Sequence, residues 1–153
     1  MTDAVYLRLR HRDAWSSASA EPLAAAAGFE SLRGHEYCLL TTFRRSGEPV
    51  PTPVWFGLAA GNVYFRTEEA VGKVKRIRND PRVRVAPCTF RGRPLGPPAQ
   101  GRARVLSARQ ECEHAERAIA ANYGAFRKLY EGAGSRMSSI VMVYVEIAPA
   151  ASA

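Results

Sequence analysis

No run in this 153-residue sequence approaches the ~20 consecutive apolar residues that span a bilayer, so no membrane segment is expected. The first residues carry arginines but no apolar stretch, so no secretory signal is expected either. Cysteine is scarce. Cys38, Cys88 and Cys112 are an odd, scattered set that argues against a disulfide framework and for a reducing, cytoplasmic setting. There is no Walker loop and no GxGxxG fingerprint. His35 and Cys38 have the spacing of half a metal site, but no second pair completes it, so no metal is expected. His114 and the serines have no nucleophile elbow and no oriented base beside them. Glu68 and Glu69 fall in a turn before a helix, where acidic residues commonly serve only as caps. No acid, base or nucleophile stands out, so no catalytic residue is expected. A protein that binds a cofactor and leaves the chemistry to it would show this pattern.

What the sequence has is positive charge. The formal net charge is +8, almost entirely from arginine, which favours anionic partners. Arginine suits planar, bidentate anion recognition better than diffuse solubilisation. The stretch NVYFRTEEAVGKVKRIRNDPRVRVAP, 62–87, concentrates this charge. It predicts a strand over Asn62–Thr67, a basic helix over Gly72–Asn79 and a strand over Arg82–Pro87. On a 3.6-residue period Val74 and Ile77 form the apolar stripe, Lys73 and Arg78 flank it, and Lys75 and Arg76 point outward. Cations at a helix N-terminus oppose the dipole unless an anion sits there. Gly72–Lys73 is therefore the candidate lip of a phosphate or carboxylate site, and a solvated basic helix is the alternative.

Residues 1–20 show no clean period and are expected to be a tail preceding one domain over 21–150. A helix is expected from Glu21-Pro22 to about Leu32, ended by Gly34. Strands follow at Tyr37–Phe43 and Val50–Leu58, joined by a hairpin loop at 44–48. Pro49, Pro51 and Pro53 alternate, so the second strand must have one unpaired edge in its first half. With Trp55 and Phe56 beyond it, that edge is a plausible wall for a flat ligand. The Gly, Pro and Arg residues after Pro87 predict a loop. A strand over Gly101–Ser107, a helix over Ala108–Asn122, a break at Gly124, a short helix over Ala125–Glu131 and a last strand over Ile140–Ile147 complete the chain. The expected class is mostly β with helices, a six-stranded antiparallel barrel. The apolar faces of 50–58 and 140–147 ask for more cover than one small barrel supplies, which predicts a homodimer.

The runs YCLLTTFRRSGEPVPTPVWF (37–56), VYFRT (63–67), GKVKRIRNDPRVRVAPC (72–88), RGRPLG (91–96) and GRARVL (101–106) together resemble the pyridoxamine 5'-phosphate oxidase-like superfamily. Within it they are most similar to the flavin/deazaflavin oxidoreductases of subgroup B, whose members use coenzyme F420. The likeness is dense from Leu32 to Leu106 and continues more thinly through Asn122-Tyr123-Gly124 and the Ile140–Pro149 segment. The conjunction of TPVWF with GKVKRIRNDPRV at this separation is its most specific part.

The resemblance implies a split β-barrel homodimer with a cofactor in each of two grooves at the interface. The strand Thr52-Pro53-Val54-Trp55 would run along the deazaflavin ring, contacting it through backbone. Arg66 and Thr67, with Lys73, Lys75 and Arg78 of the basic helix, would hold the phosphate and acidic tail, with Arg91-Gly92-Arg93 nearby. Ala70-Val71 stand where some members carry an arginine, which leaves the tail to Lys75, Arg76 or that loop. The implied activity is F420-dependent hydride transfer to an unsaturated or quinone-like small molecule. FMN is the alternative cofactor, as an oxidase or a flavin-binding module, and a tetrapyrrole-binding or carrier relative is a third form. Outside the family, the rival is a basic barrel binding single-stranded nucleic acid through Tyr64, Phe65 and Arg66, although no recognised nucleic-acid module supports it.

Overall fold

Short apolar runs, cut by Gly, Pro and Asn turns, fold into seven strands in this computed structural model, which describes residues 12–18, 28–134 and 141–150. In chain order the elements are α1 (Asp13–Ala18), a 3-10 turn (Glu30–Leu32), β1 (Tyr37–Phe43), β2 (Pro49–Trp55), β3 (Gly57–Ala59) and β4 (Asn62–Glu68). Then come α2 (Gly72–Asn79), β5 (Arg82–Cys88), β6 (Ala99–Val105), α3 (Arg109–Gly134) and β7 (Met142–Pro149). All ladders are antiparallel, in the order β2-β1-β5-β6-β7-β4-β3. The sheet curls so that Cys38, Leu40, Val63, Phe65, Val83, Val85, Val145 and Ile147 meet inside. Ile77 of α2 packs against the same interior, while Ala115, Ala118 and Ile119 of α3 cover Tyr64 and Leu106 outside it. On another outer face Ala14 of α1 packs on Leu39, Ala86 and Cys88.

The mostly-β class agrees with expectation, but the strand count does not. The expected strand over 50–58 is two strands on different partners: β2 pairs with β1, and β3 pairs with β4. These are the two ends of the sheet order, yet only Phe56 separates them in the chain. The corner at Phe56 therefore brings the sheet's edges together. Its backbone polar groups, lost to either ladder, are taken up by α3. Phe56 N–H donates to Tyr123 Oη at 2.8 Å, and Asn122 Nδ2 donates to Phe56 O at 2.8 Å and to His35 O at 3.2 Å. Beyond the corner, Ala60 and Gly61 turn β3 into β4 with φ of 51° and 81°, the left-handed pair of a tight hairpin.

Three further expectations change. α3 runs unbroken through Gly124, because one glycine costs a helix only about 1 kcal/mol and a long helix absorbs it. Of the helix expected over 21–32, residues 21–27 lie outside the described residues and the rest is the 3-10 turn. Val50, Val145 and Ile147 are covered within the single chain by the curling of the sheet, whereas Val141 and Met142 at the start of the last strand stay exposed.

A Cβ on Gly57 would lie 2.2 Å from the carbonyl oxygen of Ala118 and 2.6 Å from Ile119 N, so the α3 backbone rests directly on this glycine. Gly57→Ala is expected to cost about 3 kcal/mol or more, since neither strand nor helix backbone can yield a full ångström. Denaturant unfolding checks this, and a loss below ~1 kcal/mol would mean that the helix is free to move off.

Candidate functional site

Past the corner the two sheet edges part. β4 has β3 beside it only over Asn62–Tyr64, and among the described residues no ladder joins β2 to the remainder of β4. The sheet is therefore split, with no ladder, between β2 and the second half of β4, and the start of α2 lies at the far end of β4. Pro49, Pro51 and Pro53 sit on the β2 side, opposite Phe43, Thr41 and Leu39 of β1.

At the α2 end, Val71 caps the helix without a side-chain hydrogen bond, and the first turn holds no acidic residue. The N-terminal amides thus meet no carboxylate from their own first turn, and Lys73 adds an ammonium there. Lys73 is only 8% exposed, with Nζ 3.5 Å from Thr67 Oγ1. On the next turn Arg76 Nε donates to Thr42 Oγ1 at 2.6 Å. Helix amides, an ammonium and hydroxyls are a donor set that suits a phosphate.

The structure brings some of the expected site residues together and separates others. Thr67 and Lys73 meet. Arg66 faces the opposite side of β4, because successive strand residues alternate. Its guanidinium lies 5.9 Å from the ring centre of Tyr144, its cross-strand partner. Lys75 is exposed on the outer face of α2. Arg78 is also exposed and pairs with Glu69 at 3.4 Å. Along β2, Thr52 and Pro53 are buried while Val54 and Trp55 are partly exposed. Val54 packs against the interior cluster.

An aromatic group at the corner went unseen in the sequence. Trp55 stacks on Tyr123 with centroids 4.9 Å apart and planes at 26°, and Tyr37 lies 6.2 Å from Trp55 and 5.7 Å from Phe90. The pair Asn122-Tyr123, polar and aromatic near the end of an apolar helix stripe, was the available signal. Tyr64 and Phe65, the stacking residues of the nucleic-acid reading, are both buried, which leaves no base platform there.

An open cavity of about 530 Å³ lies where α2 meets β6, lined by Glu69, Ile77, Arg78, Arg104, Ser107 and Val143 among others. Its arginines already face carboxylates: Arg78 faces Glu69, and Arg104 faces Glu111 and Glu146. It is a poorer anion site than the lip of α2. Among the described residues no three metal-ligating side chains cluster. Burial pushes the Cys88 thiol up to about 12 and Cys38 well above the ordinary thiol range, so both stay protonated at neutral pH. No described helix is long and apolar enough to cross a membrane.

A curled antiparallel half-barrel with a split edge and a basic helix beside it defines the split-barrel class of fold. The chain matches the pyridoxamine 5'-phosphate oxidase family over residues 25–148, and it belongs to that family. A comparison with curated proteins finds no match. Among solved structures, a conserved hypothetical protein of Mycobacterium tuberculosis is 16% identical with a TM-score of 0.58, over 84% of this chain and 82% of that one. A FAD-binding protein of Mesorhizobium loti is likewise 16% identical with a TM-score of 0.58, over 84% of this chain and 90% of that one. The heme storage protein HutZ of Vibrio cholerae is 12% identical with a TM-score of 0.58, over 86% of this chain and 93% of that one. At such identities the likeness is one of fold.

Lys73→Ala is expected to weaken binding of a phosphate-bearing cofactor by about 1.5–3 kcal/mol, the worth of a charge-assisted hydrogen bond. Lys75→Ala, on the outer face, should cost less than about 0.5 kcal/mol. Calorimetric titration of both variants checks this, and equal, negligible losses would return α2 to a solvated basic helix.

Proposed function

We propose that this protein is a coenzyme F420-dependent oxidoreductase that transfers a hydride between the deazaflavin and an unsaturated or quinone-like small molecule. The observation that carries this reading is the lip of α2, where buried Lys73 meets Thr67 at an acid-free helix start that has no side-chain cap. A cofactor with a phosphate and an acidic tail asks for more cations than one phosphate clamp. Lys73 with Arg76 and Lys75 on the same helix is such an excess, and Arg78 would join it on leaving Glu69.

When bound, the deazaflavin supplies the hydride. In this reading the chain's own residues bind and orient. Lys73, Thr67 and the first amides of α2 hold the phosphate, and Lys75 and Arg78 reach the acidic tail from the exposed side of the helix. The backbone of Thr52–Trp55 lies along the ring, with Arg66 at the strand end. The Trp55–Tyr123 stack fixes the corner end of that wall. Catalysis then comes from proximity and a fixed electrostatic setting rather than from a protein nucleophile.

The working form is a homodimer with the split at its interface. Phe90 and Leu95 are about half exposed, at 50% and 52%, and Phe90 adjoins Tyr37 of the corner aromatics. A second subunit seated there would cover this apolar patch and complete a ring site that is open on one side. A flavin in the same split is the second reading, favoured by the shared fold of the FAD-binding protein of Mesorhizobium loti.

Fluorescence titration with F420 and with FMN, beside sedimentation at micromolar protein, tests the proposal. F420 is expected to bind at least tenfold more tightly than FMN, to a dimer. Tighter FMN would favour the flavin reading, and failure to bind either, or a monomer that binds fully, would overturn the interface site.

A further inference from the structure

α3 rests on the sheet through small residues. Ala115 and Ala118 are buried in the contact, and the helix backbone lies directly on Gly57. Among the described residues of α3, Ile119 is the one large apolar side chain that is buried there. Such a contact fixes how closely helix and sheet approach. Alanine, however, offers little shape to key a helix against rotation about its own axis. That rotation is left to the polar contacts on the two flanks of the helix.

On one flank Arg104 Nη2 donates to Glu111, an exposed ion pair that water and salt weaken. On the other, Tyr144 Oη of β7 donates to Glu116 in a partly buried contact, with the Arg66 guanidinium 5.9 Å from the centre of the same ring. A phenol on a carboxylate is a charge-assisted hydrogen bond, and less water competes for it here. Glu116 and Tyr123 lie two helical turns apart, so they share this flank at about 10 Å along the axis. Tyr123 Oη accepts the Phe56 N–H at 2.8 Å, and its ring stacks on Trp55. A turn of about 20° would carry a side chain at the ~5–6 Å outer radius of a helix by about 2 Å. That is enough to lose the bond to Phe56.

We infer that Glu116, held by Tyr144, is a positioning residue that fixes the rotation of α3 and so keeps Tyr123 on the corner peptide and against Trp55. Through that stack it acts on the end of the wall along which the cofactor ring would lie. The bearing on the ring rests on the proposed function, whereas the link from Glu116 to the corner does not.

Hydrogen exchange resolved to single backbone amides of the full-length protein tests it, because local opening and global unfolding differ in which amides they expose. In Glu116→Ala and in Tyr144→Phe the Phe56 amide should exchange at least tenfold faster, while the Leu40 amide in the middle of β1 stays within threefold of wild type. Glu116→Gln, which keeps an acceptor for the phenol, should restore most of the protection at Phe56. Glu111→Ala, on the exposed flank, should leave Phe56 within threefold. An unchanged Phe56 amide overturns the inference, and so does a Leu40 amide that speeds up equally, since that is a plain loss of stability. An equal effect of Glu111→Ala overturns the assignment to this flank. Titration of Glu116→Ala with F420 and with FMN should show affinity for the ring cofactor lowered at least fivefold, and a fast Phe56 amide with unchanged affinity overturns the bearing on the ring. Should the wild type bind neither F420 nor FMN, the cofactor reading fails, while exchange at Phe56 still decides what Glu116 does.

Discussion

The fold turns on the capture of one peptide corner by one helix. Phe56 is 1% exposed and belongs to neither flanking strand, so its N–H and C=O sit in the interior without a ladder. Leaving such groups without a partner costs about 1–3 kcal/mol each. Tyr123 and Asn122 meet both, and Asn122 also holds the carbonyl of His35 ahead of β1. With α3 resting on bare Gly57, these contacts set where the two sheet edges meet and hence where they part. The split follows from that corner, and so does the position of α2 at its mouth.

Electrostatics gives the split its direction. A cation in the first turn of a helix opposes the macrodipole by roughly 0.3–1 kcal/mol at an exposed site. α2 nonetheless carries Lys73 there, largely buried, with no acidic residue in that turn. An anion seated there would find donors in both the ammonium and the amides. The arginines around the neighbouring cavity instead face carboxylates, so charge rather than size distinguishes the two sites.

Much of this was legible in the residues. Alternation marked the strands, the helical period separated the flanking Lys73 from outward Lys75 but wrongly turned Arg76, half-buried on Thr42, outward, and the prolines announced an edge. The corner was not legible, because 50–58 reads as one strand and the groups that hold its bend lie 66 and 67 residues away on α3. Gly124 misled for a related reason: local propensity marks a break, but the helix carries through it. Arg66 and Thr67 were grouped by the family resemblance, whereas a strand sends neighbours to opposite faces. Of residues 1–20, the described part includes a short helix whose Ala14 is buried, although its sequence shows no period.

The most direct test is a crystal structure of the protein with F420 bound. The account predicts the deazaflavin ring lying in the split along Thr52–Trp55, its phosphate within hydrogen-bonding distance of Lys73 Nζ and the first amides of α2. A ring seated in the cavity between Arg78 and Arg104, or a phosphate making no contact with Lys73, would contradict it.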